Sequence, residues 1–254
     1  EPITVAGNPP VRFASADFET ENEAQKLPGL SLFMVRVFLN DIFSIGVLRI
    51  PNIIVYVLLY TSLLRLDGNV FLSAFIALVL SEFVLVMSCA VIKKVLVGSV
   101  WGSAHSTPFW SWRHISYFFA QDCFFTWCRQ SLKLSTGTVL SNLILRLMGC
   151  KVGKRTIIGS PLQASDWNAV RFGDDCMVNG FLQYHTFEDM ILRVKRTEIG
   201  DGGAVNFGAT VMGGVVIEPE TTLQPLSMVL KAMHLPTAIY AGSPVEPEDG
   251  NRYD

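Results

Sequence analysis

Four histidines occur in this 254-residue chain. One of them, His185, sits in "QYHTFED" with Glu188 and Asp189 just beyond it. An imidazole of near-neutral pKa can take the proton from an amine or hydroxyl as it attacks an activated acyl group. A neighbouring carboxylate can fix its tautomer and raise its basicity. His185 is therefore the candidate general base, with Glu188 and Asp189 as its carboxylates. Asp166, in "SDWNAV", falls roughly one structural repeat earlier and reaches His185 if successive repeats stack in register. The bland reading of His185 is a surface histidine at a turn. His234, in a terminal segment, is the lesser alternative for that role; His105 and His114 lie among aromatic anchors and are assigned no chemistry.

What must position His185 is written in the spacing of the aliphatic residues. Ile199, Val205, Val211, Ile217, Leu223 and Val229 recur every six positions. That period fits neither a helix nor an ordinary strand. It fits a left-handed parallel β-helix, a triangular coil with one inward aliphatic residue per face. Gly200, Gly202, Gly203, Gly208, Gly213 and Gly214 suit the corners. A second run is Val152, Ile158, Ala164 and Val170; its phase slips by two to Phe172, Val178 and Tyr184. The rhythm then breaks between Tyr184 and Ile199, so "HTFEDMILRVKRTE" is expected to loop out where His185 stands. After Val229 the chain is expected to leave the coil and run back across it as a cap. Coils of this kind with a projecting loop often transfer acyl groups. A pantetheine thioester lies along the groove between two prisms of a threefold assembly, and placement plus deprotonation of the acceptor suffices for reaction. Asn206, Gly208 and Gly213 are the candidates to line that groove.

The preceding third is different in kind. Half of all residues are hydrophobic and only 17% are charged, against about a quarter in ordinary soluble domains. "RIPNIIVYVLLYTSLLRL" and "NVFLSAFIALVLSEFVLVMSCAVIKK" flank an Asp67-Gly68 turn, and the second is long enough to cross ~30 Å of hydrocarbon. They predict a transmembrane hairpin over about 49–92. Glu82 and the Arg49/Asn52 pair lie equally far from the turn, so Glu82 should face one of them, as a structural pair or as a relay. Lys26, Arg36, Lys93, Lys94 and Arg113 flank the outer ends while the turn carries only Arg65, which orients the outer ends, and the β-helix with them, toward the cytoplasm. Residues 31–48 read as an amphipathic or interfacial helix. Residues 109–132, rich in Trp and Arg, read as a helix on the membrane surface.

Residues 1–30 read as a linker and the chain as a piece of something longer. The organisation is thus linker 1–30, membrane region 31–108, interfacial helix and connector 109–148, β-helix module 149–246 and tail 247–254. A net charge of −2 argues against a nucleic-acid partner. Five cysteines without a C-x-x-C pair argue against a zinc site or a disulfide framework, and read as buried or membrane-facing thiols. No metal is expected.

Four stretches, "VIKKVLVGSVWGSAHSTPFWSW", "LSTGTVLSNLILRLMGCKVGKRTIIGS", "VRFGDDCMVNGFLQYHTFED" and "TEIGDGGAVNFGATVMGGVVIEPETTLQPLSMVLKAMHLP", together with "AGSP", resemble the C-terminal membrane region of nonribosomal peptide synthetases of the ε-poly-lysine-synthetase type. The resemblance covers about 90–246. It implies a module similar to hexapeptide acyltransferases, one of three in a pseudo-threefold arrangement. Such a module joins an amino acid or amine to an aminoacyl thioester on the 4'-phosphopantetheine arm of a carrier domain. It places His185 in the family's His-containing motif. Two alternatives stand beside an amide-forming transferase: a non-catalytic scaffold that completes a sister module's site, and a free-standing CoA-dependent membrane acyltransferase.

Overall fold

The computed structural model describes residues 4–6, 11–13, 34–35, 38–98, 105–109, 111–159, 167–188 and 190–248. The chain divides into two compact units. One comprises Lys26–Ser99 and Phe109–Ser135, the other Glu1–Gln25, Val100–Pro108 and Thr136–Asp254. The expected linker falls outside the described residues except for Thr4–Ala6 and Val11–Phe13, which pair as antiparallel strands.

The helical unit contains α1 (Ile50–Asp67) and α2 (Val70–Leu96). Gly68, at φ 71°, ends α1 in the left-handed region, and Asn69 caps α2 by accepting from the Leu72 N–H at 3.0 Å. The turn at Asp67-Gly68 is therefore built as its residue types require. Ile45–Asp67, which joins the turn of helix before α1 to α1 itself, and α2 are each long and apolar enough to cross a membrane. Ser73, Ala77, Ser81, Leu85, Cys89 and Lys93 recur every four residues along α2 and are all buried. Small side chains in this stripe let helices approach closely. Asn52 of α1 donates across it to the Ser81 carbonyl at 2.7 Å. Ahead of α1, Phe38–Phe43 and Ile45–Arg49 wind as π-helix, so the expected interfacial helix is continuous into the hairpin. α3 (Trp112–Cys123) runs through a π segment, Phe124–Cys128, into α4 (Arg129–Leu134). His114 and Tyr117 are buried within this unit rather than displayed at a surface, His114 lying 4.2 Å from the Phe109 ring and 4.6 Å from Phe118 between ring centroids.

In the other unit the chain visits three parallel sheets in rotation. The first contains Lys151–Val152, Val170–Phe172, Thr197–Ile199, Val216–Ile217 and His234–Leu235. The second contains Ile157–Ile158, Met177–Val178, Ala204–Val205, Thr222–Leu223 and Ile239–Ala241, and the third Phe181–Gln183, Thr210–Met212 and Met228–Val229. Ile199 pairs with Ile217, Val205 with Leu223 and Val211 with Val229, a repeat of eighteen residues. Every described aliphatic of the six-residue series is buried, from Val152 to Val229. One flank of each narrow strand points inward and the other outward. The corners stack as well: Arg155, Asp175, Gly202 and Glu220 occupy one column in the left-handed region. α5 (Val139–Leu147) precedes the first strand, and Asn142 donates to the Thr156 carbonyl at 2.7 Å.

Two expectations are corrected. Leu182, not Tyr184, takes the slot in register with Val211; Tyr184 is also buried, two residues on, where the chain leaves the third sheet. Nor does the chain leave the coil after Val229. Leu235 and Tyr240 are buried and pair with Ile217 and Leu223, extending two sheets by another strand each. The antiparallel strand Glu246–Pro247 then covers the last edge of the second sheet. Ala164 lies outside the described residues.

Candidate active site around the Tyr184–His185 exit

The expected excursion is present as an antiparallel hairpin, His185–Glu188 against Ile191–Val194. A strand from far upstream, His105–Pro108, pairs with its other side and belongs to this unit rather than to the helical one. His185 opens the hairpin opposite Val194, and Val194 in turn stands opposite His105. Positions 185 and 105 thus share one row of a three-stranded sheet, about 10 Å apart at a strand spacing of ~4.8 Å. Sequence reasoning sets His105 aside as a membrane anchor. No local signal marks it, because His105 pairs with Val194, 89 positions later.

The His185 ring is half-buried and meets Phe187 edge-on at 5.0 Å. Its backbone is fixed by the coil below. Lys195 N–H donates to the Tyr184 carbonyl at 3.4 Å, and Gly213 stacks against that same carbonyl so closely that a Cβ there would lie 2.5 Å from the oxygen. Buried Thr197 accepts from the Gly214 N–H at 3.1 Å and ties the hairpin's return to the next turn. Arg193, one residue before Val194, is also buried, which a surface loop would not permit. Arg196 pairs with Glu198, and Arg171 approaches Glu198 at 4.0 Å.

Of the other predicted residues, Glu188 ends the first hairpin strand opposite Ile191. Asp189 and Asp166 lie outside the described residues. Gly213 is beside the exit that carries His185, whereas Asn206 and Gly208 occupy the corner before Thr210–Met212, at the other end of that strand. The three groove candidates therefore bracket one strand of the third sheet. Elsewhere in this unit Glu218 holds His234, at 2.7 Å between Oε1 and Nε2. Both are substantially exposed.

A groove of about 610 Å³ lies near the first sheet, lined among others by Arg146, Lys151, Arg171, Asp174 and Asp201. Its polar groups mostly serve the corners. Arg146 donates to the Val152 and Gly153 carbonyls, Asp174 accepts from the Lys154 N–H, and Asp201 accepts from the Asp174 N–H. The buried Cys176 thiol donates to the Gly200 carbonyl at 3.1 Å, and burial pushes its pKa up, so it stays protonated and unsuited to carry an acyl group. All five cysteines are free and buried. Among the described residues no three His, Cys, Asp or Glu side chains gather as metal ligands.

No family model matches the chain. A curated relative, delta-poly-L-ornithine synthetase of Acinetobacter baumannii (strain AB307-0294), is 27% identical over 114 residues, which is 44% of this chain and 8% of that protein. Similar solved structures include a hexapeptide-repeat acetyltransferase from Vibrio cholerae (13% identity, 48% of this chain and 88% of that one, TM-score 0.39). A galactoside acetyltransferase in complex with coenzyme A is 15% identical over 48% of this chain and 76% of that one, with a TM-score of 0.40. A maltose O-acetyltransferase from Clostridium difficile is 16% identical over 48% and 84%, with a TM-score of 0.30.

Proposed function

We propose that this chain is a membrane-anchored aminoacyl-transfer module in which a left-handed β-helix presents His185 as the general base. The observation that carries the reading is the placement of His185 where the chain exits the coil after Phe181–Gln183, on a hairpin pinned by Gly213 and Thr197. The partial likeness to a poly-ornithine synthetase supports amide formation over ester formation, since that protein's name denotes a polyamide of a diamino acid. In the reaction, an acceptor amine attacks the thioester carbonyl of an aminoacyl group on a carrier's phosphopantetheine arm. His185 takes the amine proton, the C–N bond forms, the C–S bond breaks, and the proton passes to the departing thiolate. The protein's task is positioning and one proton transfer, because the thioester is already activated. The groove would run past Gly213 toward Asn206 and Gly208.

Exposed Ile157, Met177, Phe181, Phe207, Leu226 and Ile239 decorate the second and third sheets and their shared corner. A sister module in a pseudo-threefold arrangement would cover such a surface. The helical pair would anchor the module, with its cation-rich outer ends and the coil on the cytoplasmic side.

A second reading rests on the Glu218–His234 pair, which already has the geometry of an oriented base. One assay separates the two. The full chain in membranes is given an aminoacyl-loaded carrier and an amine, and the amide is quantified by mass spectrometry. His185→Ala should lower the rate ~10²- to 10⁴-fold, the range of general-base catalysis, while His234→Ala leaves it within a fewfold. The reverse pattern moves the base to His234. Unchanged product in both variants leaves only the scaffold role.

A further inference from the structure

The helical unit contains a cavity of about 220 Å³ lined by Arg49, Asn52, Tyr56, Ser81 and Glu82, among others. Equal distance from the turn predicts that Glu82 faces Arg49 or Asn52, and all three do line this one space. They do not, however, satisfy one another. Asn52 gives its amide to the Ser81 carbonyl at 2.7 Å. Glu82 accepts from the Ser131 hydroxyl at 3.0 Å. The Arg49 guanidinium lies 5.7 Å from the centroid of the Trp127 ring, a cation–π contact. Among the described residues no ion pair joins Arg49 to Glu82. Opposite charges that border one small cavity between apolar helices, each fixed by a different neighbour, are an arrangement that a plain structural ion pair would have collapsed.

A second feature converges here. Arg49 is the last residue of one π segment, Ile45–Arg49, and Trp127 lies in another, Phe124–Cys128. π-turns are rare and are frequently found at functional sites, where they re-aim side chains at the cost of regular hydrogen bonding. Here they set the guanidinium on a ring and off the carboxylate.

We propose that this cavity binds a small zwitterion that presents an oxyanion to Arg49 and a primary ammonium to Glu82. Asn52 and Tyr56 would supply neutral polar contacts around it. The volume is below the ~300 Å³ at which drug-sized ligand pockets begin, which suits a group of this size. Two sources share the chemistry, an ethanolamine phospholipid headgroup and a free α-amino acid. The lipid source rests on the reading of α1 and α2 as a membrane hairpin; the amino-acid source does not.

The test uses the full chain in nanodiscs of phosphatidylcholine, with and without phosphatidylethanolamine. Retained lipid is counted by native mass spectrometry, and labelled alanine binding is measured in the phosphatidylcholine discs. Alkaline extraction of the expressing membranes checks insertion separately, so that a failed hairpin is not mistaken for a failed site. Glu82→Gln keeps the shape and an acceptor for Ser131 but removes the charge. Loss of retained phosphatidylethanolamine by tenfold or more in Glu82→Gln assigns the lipid. The same loss of alanine binding assigns the amino acid. Wild-type protein that binds neither probe, or a Glu82→Gln variant that binds both as well as wild type does, overturns the proposal. If Glu82→Gln does not insert, Arg49→Gln is judged by the same two probes.

Discussion

Gly213 and Gly200 make a matched pair for testing whether the coil positions His185. A Cβ at Gly213 would lie 2.5 Å from the Tyr184 carbonyl oxygen and 2.9 Å from its carbon. A Cβ at Gly200 would lie 2.5 Å from the Pro219 nitrogen and 2.8 Å from the Glu218 carbonyl carbon. Both obstacles are backbone, so neither can swing aside. Restoring an ordinary contact of ~3.5 Å requires a displacement of ~1 Å in either case. Overpacking of this kind costs ~1–3 kcal/mol. For a unit of this size that lowers Tm by roughly 2–4 °C per kcal/mol. The two alanine variants should therefore be destabilised alike, as read by thermal denaturation in detergent. Their activities should differ. Gly200→Ala pushes on a corner between the first and second sheets. Gly213→Ala pushes on the residue immediately before His185, and a ~1 Å misplacement of a reacting group can cost ~10²-fold in rate. Amide formation from a loaded carrier, measured below both melting points, should fall about a hundredfold for Gly213→Ala and only a fewfold for Gly200→Ala. Equal activities in two equally destabilised variants would refute the argument that the Tyr184–Gly213 stack sets the base.

Two further outcomes test the coil itself. Leu223 is fully buried between Val205 and Tyr240 in the second sheet; Leu223→Ala should cost ~2–5 kcal/mol, read as a lower Tm with no loss of membrane insertion. The Arg155 guanidinium, hydrogen-bonded to Asp175, holds that carboxyl below its usual value of 3.8. A lowered carboxyl pKa contributes stability that is present above the unfolded value and is lost as pH falls through the folded one. Wild type should therefore exceed Asp175→Asn in Tm at neutral pH, by a small margin because both partners are exposed, and the gap should close as pH drops below 3.8.

The chain's own pattern determined the repeating part of this protein. An aliphatic residue every six positions can be buried without exception only if the backbone turns once per face, so Ile199 through Val229 dictated their sheets and their register. The same holds for the two-helix hairpin, where long, predominantly apolar runs flank the Asp67-Gly68 turn. Even the two corrections were written in the spacing: Leu235 is six residues past Val229, and Leu182 is four past Val178 because the preceding corner is short.

What only the tertiary structure decided are the partners across long loops. The strand from His105 joins a hairpin 80 residues later, and neither sequence carries the other's address, since antiparallel pairing is set by backbone hydrogen bonds that any residues can make. Equal distance to the turn puts Glu82 at the level of Arg49 and Asn52. The depth holds and the pairing does not, because Ser131 and Trp127 arrive from elements that the count along one hairpin does not include. Glu218 and His234 pair although they are sixteen residues apart in sequence. A repeat of eighteen residues stacks His234 on Val216, two residues from Glu218, which neighbouring letters in the sequence do not reveal.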